Sequence, residues 1–154
     1  MVAALFATAA GATVLEADAG QAVAVSDPGG RILARVPLGD EGTFSLRYRN
    51  SLYGSEAQER FVAADDGSFR LRQLGAEQLA VLEEYYAVNE APRNVADEWF
   101  TAAPAYELEL GQLRIAATDL GRRTLVVEGR PPVDLWRLVE DAAPTVIISV
   151  EDGR

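Results

Sequence analysis

"FSLRYRNSLYGSEAQERF", Phe44 to Phe61, alternates apolar and polar residues on both sides of a short loop. Successive side chains of a strand point to opposite faces. Phe44, Leu46 and Tyr48 therefore share one face, and Ser45, Arg47 and Arg49 the other. On the returning half, Ala57, Phe61 and Ala63 share a face, with Glu56, Gln58 and Arg60 opposite. This is a β-hairpin with one core-facing side. Two polar residues break the pattern, because Asn50 falls on the apolar face of the first strand and Glu59 among the apolar residues of the second. A tight loop around Leu52 to Ser55 would set Tyr48 close to opposite Glu59, and Leu46 close to opposite Phe61. The expectation is a polar cluster of Tyr48, Asn50 and Glu59 at one end of the hairpin. A carboxylate buried alone costs roughly several kcal/mol, so Glu59 needs donors. The Tyr48 hydroxyl, Asn50, Ser51 or an Arg from another strand would serve. The cluster reads either as a network that fixes the loop or as a small binding site at the sheet's end.

Outward from the hairpin, turn residues recur at short intervals: Asp27-Pro28-Gly29-Gly30, Gly39-Asp40-Glu41-Gly42, Asp65-Asp66-Gly67, Asp119-Leu120-Gly121 and Gly129-Arg130-Pro131-Pro132. Runs rich in Val, Ile, Leu, Phe and Tyr lie between them. Strands are expected near Val14 to Ala17, Ala22 to Ser26, Arg31 to Val36, Thr43 to Arg49, Ala57 to Ala63, Ser68 to Gln73, Gln112 to Thr118, Thr124 to Glu128 and Thr145 to Val150. The fold class is all-β, a single antiparallel sandwich or barrel-like domain over residues 13–154. One short helix is expected near the C-terminus, from Asp134 to Asp141. Asp134 would cap it, Leu135, Leu138 and Val139 would share its face, and Pro144 would stop it. Gly75 to Val88 fits a helix by propensity and a strand by its Tyr pair and Val.

The 154 residues suit one domain with one core. The net charge of -10 argues against nucleic acid and anionic membrane surfaces, both of which need clustered cations. It would suit a cationic partner, but the plainer reading is solubility. All 14 basic residues are Arg. The absence of Cys removes disulfides and thiolate metal sites, and the absence of His and Lys removes the Ser-His-Asp triad, the common zinc ligand and Schiff-base chemistry. No cofactor or metal is expected. Asp65-Asp66-Gly67 and Asp40-Glu41-Gly42 lack calcium-loop spacing and read as turns. Glu83 and Tyr85, within Glu83-Glu84-Tyr85-Tyr86, are secondary site candidates, although adjacent carboxylates are poorly placed as a catalytic pair.

The segment "MVAALFATAAGATVLEAD" is apolar and small, and both Ala7-Thr8-Ala9 and Ala10-Gly11-Ala12 look like signal-peptide cleavage sites. Residues 1–12 read as the remnant of a signal peptide or anchor, or as a first strand.

The hairpin also resembles the signature of a bacterial and archaeal domain-of-unknown-function family, the one numbered 1850. That signature has an aromatic, then Tyr-x-His-Ser-Val, then Thr-Pro-Val and Glu before an aromatic. Tyr48, Ser51, Glu59 and Phe61 fall on it. "VSDPGGRILARVPLGDEGTFSL" is similar to the family's first hairpin, and "RRTLVVEGRPPVDLWRLVEDAAPTVIISV" to its closing strand, short helix and strand. The likeness spans most of Val14 to Val150. Asn50 stands where members usually carry His, and Ser55-Glu56-Ala57 where they carry Thr-Pro-Val, so any imidazole role is lost or changed. The resemblance implies an extracytoplasmic place, anchored to the membrane where a longer upstream N-terminus provides for it. It implies company with tripartite TAXI-type TRAP transporters, through their periplasmic binding protein or membrane subunit. The expected function is a non-enzymatic accessory or binding module, with Tyr48, Asn50, Ser51 and Glu59 as ligand or partner-binding residues and Glu83 and Tyr85 behind them. The alternatives are a carboxylate-dependent hydrolase, which needs a second carboxylate facing Glu59 across a cleft, and a purely structural interaction subunit.

Overall fold

In a computed structural model of the chain, the described residues are 20–88, 93–95 (backbone alone) and 99–152. The readings of residues 1–12 and of a strand at Val14 to Ala17 lie outside them. The first turn shows how the chain is punctuated. The Asp27 carboxylate accepts the Gly29 and Arg31 amides at 2.9 and 3.0 Å, and Gly30 takes φ 85°, which a Cβ would disfavour. This turn joins β1 (Gln21–Ser26) to β2 (Ile32–Pro37). A meander follows, of β3 (Thr43–Asn50), β4 (Ser55–Ala63) and β5 (Phe69–Ala76). At the β4–β5 turn, Asp66 accepts the Ser68 amide and hydroxyl at 3.0 and 2.7 Å.

Further strands are β6 (Arg93–Val95), β7 (Trp99–Ala102), β8 (Glu109–Leu110), β9 (Gln112–Ala116), β10 (Thr124–Val126), β11 (Val133–Asp134) and β12 (Thr145–Asp152). They form two sheets, one ordered β2-β1-β12-β9 and one ordered β11-β10-β3-β4-β5-β7-β6 with β8 on β5. Every pairing is antiparallel. The molecule is an all-β, sandwich-like domain.

The inward residues of the two sheets make the main core. Val23, Val25, Val146 and Ile148 from the smaller sheet pack with Phe44, Leu46, Phe61, Phe69 and Leu125 from the larger. Phe44 stacks on Phe61 at 5.2 Å and meets Phe69 edge-on at 5.4 Å. The larger sheet extends beyond the cover of the smaller one. There a second cluster of Tyr48, Ala57, Leu74, Ala76 and Ala102 lies under Val81 and Leu82. Those two residues belong to a π-helical turn, Val81–Tyr85, in which the Tyr86 amide donates to the Val81 carbonyl at 3.2 Å. Gly75 to Val88 thus finishes β5 at Ala76 and turns helical at Val81; Tyr85 lies in that turn and Tyr86 directly after it, so the strand reading that rested on the Tyr pair is corrected.

Two expectations shift. The helix expected from Asp134 to Asp141 is a single 3₁₀ turn, Leu135–Arg137. Asp134 makes no side-chain cap bond and instead accepts the Thr124 hydroxyl at 3.0 Å. Leu135 is nonetheless fully buried, with Leu138 and Val139 packed on the core. The hairpin register also differs: Tyr48 pairs with Ala57, Leu46 with Glu59, Phe44 with Phe61 and Asn50 with Ser55. The cause is the turn, which takes Ser51 to Gly54, with Gly54 at φ 66° donating to the Asn50 carbonyl at 2.7 Å. The shift is by two residues, so every side chain keeps its face.

Candidate functional site

Asn50 and Glu59 both point inward, as the alternation requires, but they serve different groups. Asn50 is buried, and its side-chain carbonyl accepts the Leu52 and Tyr53 amides at 3.0 and 3.2 Å. It closes the hairpin loop as an Asx turn. Glu59 lies further down the strand, 18% exposed at its side chain, and accepts the Tyr86 hydroxyl at 2.7 Å. That bond uses Tyr86's one hydroxyl proton, so the Tyr48 hydroxyl, 2.5 Å away, donates to Tyr86. The three groups form a chain from Tyr48 through Tyr86 to Glu59.

Arg123 completes the cluster. Its guanidinium stacks over the Tyr48 ring at 4.7 Å, and one of its nitrogens lies 3.8 Å from Glu59. That separation is an ion pair but not a hydrogen bond, and the same nitrogen is buried without a hydrogen-bond partner. The backbone holds Arg123 firmly. Its carbonyl accepts the Leu135 amide at 2.9 Å, and the preceding turn is bonded from Arg122 to Thr118 at 2.9 Å.

The Tyr48 phenol is pushed up to about 12, chiefly by burial, and Tyr86 is pushed up further, first by burial and then by the charge on Glu59. Both are neutral donors at physiological pH. Strain gathers around these groups. Ala87, which follows Tyr86, has φ 49°, and Arg122, which precedes Arg123, has φ 44°. Non-glycine residues at such angles and π-turns both concentrate where a site over-determines the backbone.

Above the cluster lies an open cleft of about 280 Å³ between the β3–β4 loop and the turn before β10. Tyr48, Asn50, Ser51 and Tyr85 line it, four of the six residues singled out from the sequence, together with Arg49, Leu52, Thr118, Leu120 and Arg123. Three large apolar groups stand out on its walls: Leu52, Leu120 and Tyr85 are 75%, 66% and 57% exposed. Its described lining carries two Arg and neither Asp nor Glu. Glu59 sits below it and Glu83 is exposed outside its lining. The Tyr53 hydroxyl donates to Glu84, which ties the hairpin loop to the π-turn.

The sequence reading missed Tyr86 and Arg123. The need for an Arg from another strand was visible in Glu59's position. No local pattern says which Arg, because Arg123 arrives through the pairing of β10 with β3. Among the described residues no group of three metal-ligating side chains converges, and no helix is long and apolar enough to cross a membrane. Comparison with family models, with curated proteins and with solved structures finds no match to this chain.

Proposed function

We propose that the protein is a non-enzymatic binding module that uses the cleft at the hairpin's end to hold a partner or ligand. The observation that carries this reading is the cleft itself. It is a prebuilt cavity with cations and hydrogen-bonding groups inside and three solvent-exposed apolar side chains on its walls, a combination suited to recognition. The resemblance of the hairpin to the family numbered 1850 supports an extracytoplasmic setting beside a TAXI-type TRAP transporter, with its membrane subunit or periplasmic binding protein as partner. The hydrolase reading draws no support from the site, since Glu59 is engaged by Tyr86 and Arg123 and the described cleft lining offers no second carboxylate.

The test is capture from host membranes with the full reading frame as bait, alongside Leu52→Ser and Tyr85→Ser. Both residues are exposed, so the variants should fold. Transporter subunits should come down with the parent and be lost with the variants. Failure to capture any subunit sinks the transporter assignment, and equal capture by the variants sinks the cleft.

A further inference from the structure

The outward face of the larger sheet bears a concentration of charge opposite in sign to the molecule. In β3, β4 and β5, Ser45 pairs with Arg60, Arg47 with Gln58 and Arg60 with Gln73. The register shifts between Arg60 and Phe61, so that Arg72, the extra residue opposite this step, is exposed beside Gln73. Arg47, Arg60 and Arg72 thus stand on three adjacent strands, spanning about 10 Å across the sheet. Between β10, β3 and β4 the face holds a groove of about 310 Å³, lined by Ser45, Arg47, Gln58, Arg60, Val126 and Glu128 among others.

These arginines form no ion pair among the described residues, although the chain carries 24 Asp and Glu. Acid is not in short supply, because Arg31, Arg35 and Arg137 each have a carboxylate partner. Like charges on neighbouring strands cost stability, and their field attracts anions from solution. Guanidinium forks bind carboxylates in a bidentate, oriented way. We infer that this face is a docking surface for an extended, acidic segment of a partner polypeptide, lying across the strands with its carboxylates on Arg47, Arg60 and Arg72 and its backbone against Gln58 and Ser45. Glu128 interrupts the basic track in the groove, which suits spaced carboxylates better than the continuous phosphates of a nucleic acid. The groove shares no lining residue with the cleft, so the inference stands apart from the function proposed above.

The test is fluorescence anisotropy with the full chain and a labelled peptide of alternating Glu and Ser. A thymidine oligonucleotide of equal charge serves as the rival probe. The comparison proteins are the double variant Arg47→Gln/Arg60→Gln and, as a control, Arg114→Gln, an exposed Arg of the smaller sheet. Circular dichroism confirms folding, and Arg47→Gln alone replaces the double variant if that one unfolds. Saturable peptide binding should weaken about tenfold in the double variant, stay unchanged in the control and decline with salt. Absence of peptide binding, or equal binding by the double variant, overturns the inference. Oligonucleotide binding as tight as peptide binding overturns the choice of an acidic polypeptide.

Discussion

The Tyr86 hydroxyl donates to Glu59 at 2.7 Å, and this bond ties the segment after the π-turn to the middle of β4. Tyr86→Phe removes the donor from Glu59 and the acceptor from Tyr48 at one stroke. Leaving such half-buried groups unpaired costs about 1–3 kcal/mol, which should appear as a lower urea midpoint. An unchanged midpoint would mean that Arg123 alone satisfies Glu59.

The same pair of tyrosines makes stability depend on alkaline pH. Burial raises Tyr48 from 10.0 to about 12 and raises Tyr86 beyond that, so the folded state holds both phenolic protons more tightly than the unfolded chain. A raised pKa stabilises fully below the unfolded value and loses that contribution as pH climbs through the folded one. Stability should therefore hold up to pH 10 and fall between 10 and about 12. With no Lys in the chain, tyrosines are the main side chains titrating in this window. Native-state tyrosinate absorbance should fall short of all five tyrosines until unfolding, and Tyr48→Phe should flatten the decline. Full titration of every tyrosine without unfolding would refute the account.

Asn50→Ala strips two amides, Leu52 and Tyr53, of their acceptor. A loss of about 1–2 kcal/mol is expected, by analogy with a lost cap. Proteolytic nicking at Leu52 to Gly54 should quicken with it. Asn50→Asp keeps the acceptor and should leave the loop closed, which a limited-proteolysis time course can separate from the Ala variant.

Ala87 sits at φ 49°, which costs a non-glycine residue about 1 kcal/mol. Ala87→Gly removes that cost and adds about 0.4–1 kcal/mol of unfolded-state entropy, for a net change between neutral and slightly stabilising. Ala87→Val should destabilise clearly. Thermal melting of both variants checks the pair, and a stable Val variant would show that the turn relaxes freely.

Much of this architecture was legible. Alternation placed Phe44, Leu46 and Tyr48 inward and kept Asn50 and Glu59 with them, because parity survives any even shift of register. The register itself was not legible, since it depends on Gly54 adopting a left-handed angle at the end of a four-residue turn. The partners of Asn50 and Glu59 were only partly legible: an Arg from another strand was expected for Glu59 and is present as Arg123, whereas the local bonds of Asn50 and the Tyr86 donor were not foreseen. Asn50 satisfies amides two and three residues ahead, a local bond that competes with any cross-strand one. Glu59 finds Tyr86 and Arg123, which only the tertiary fold brings near. The helix after Asp134 shrank to one turn because its expected cap is held by Thr124 on β10.

The pairing of β1 with β12, Gln21 against Asp152 through Ser26 against Ile147, joins strands from opposite ends of the described chain. During synthesis the meander of β3 to β5 can form early from neighbouring segments. The smaller sheet has to wait, because its two central strands are separated by nearly the whole translation time of the domain. Until residues 145–152 leave the ribosome, β1 has only β2 beside it, and the inward side of Phe44, Phe61 and Phe69 lacks its main cover. Such long-range closure slows folding and lengthens the exposure of unpaired edges. Any state that forms before β12 docks is a half-sandwich with its apolar face open, the form in which this fold is most prone to aggregate.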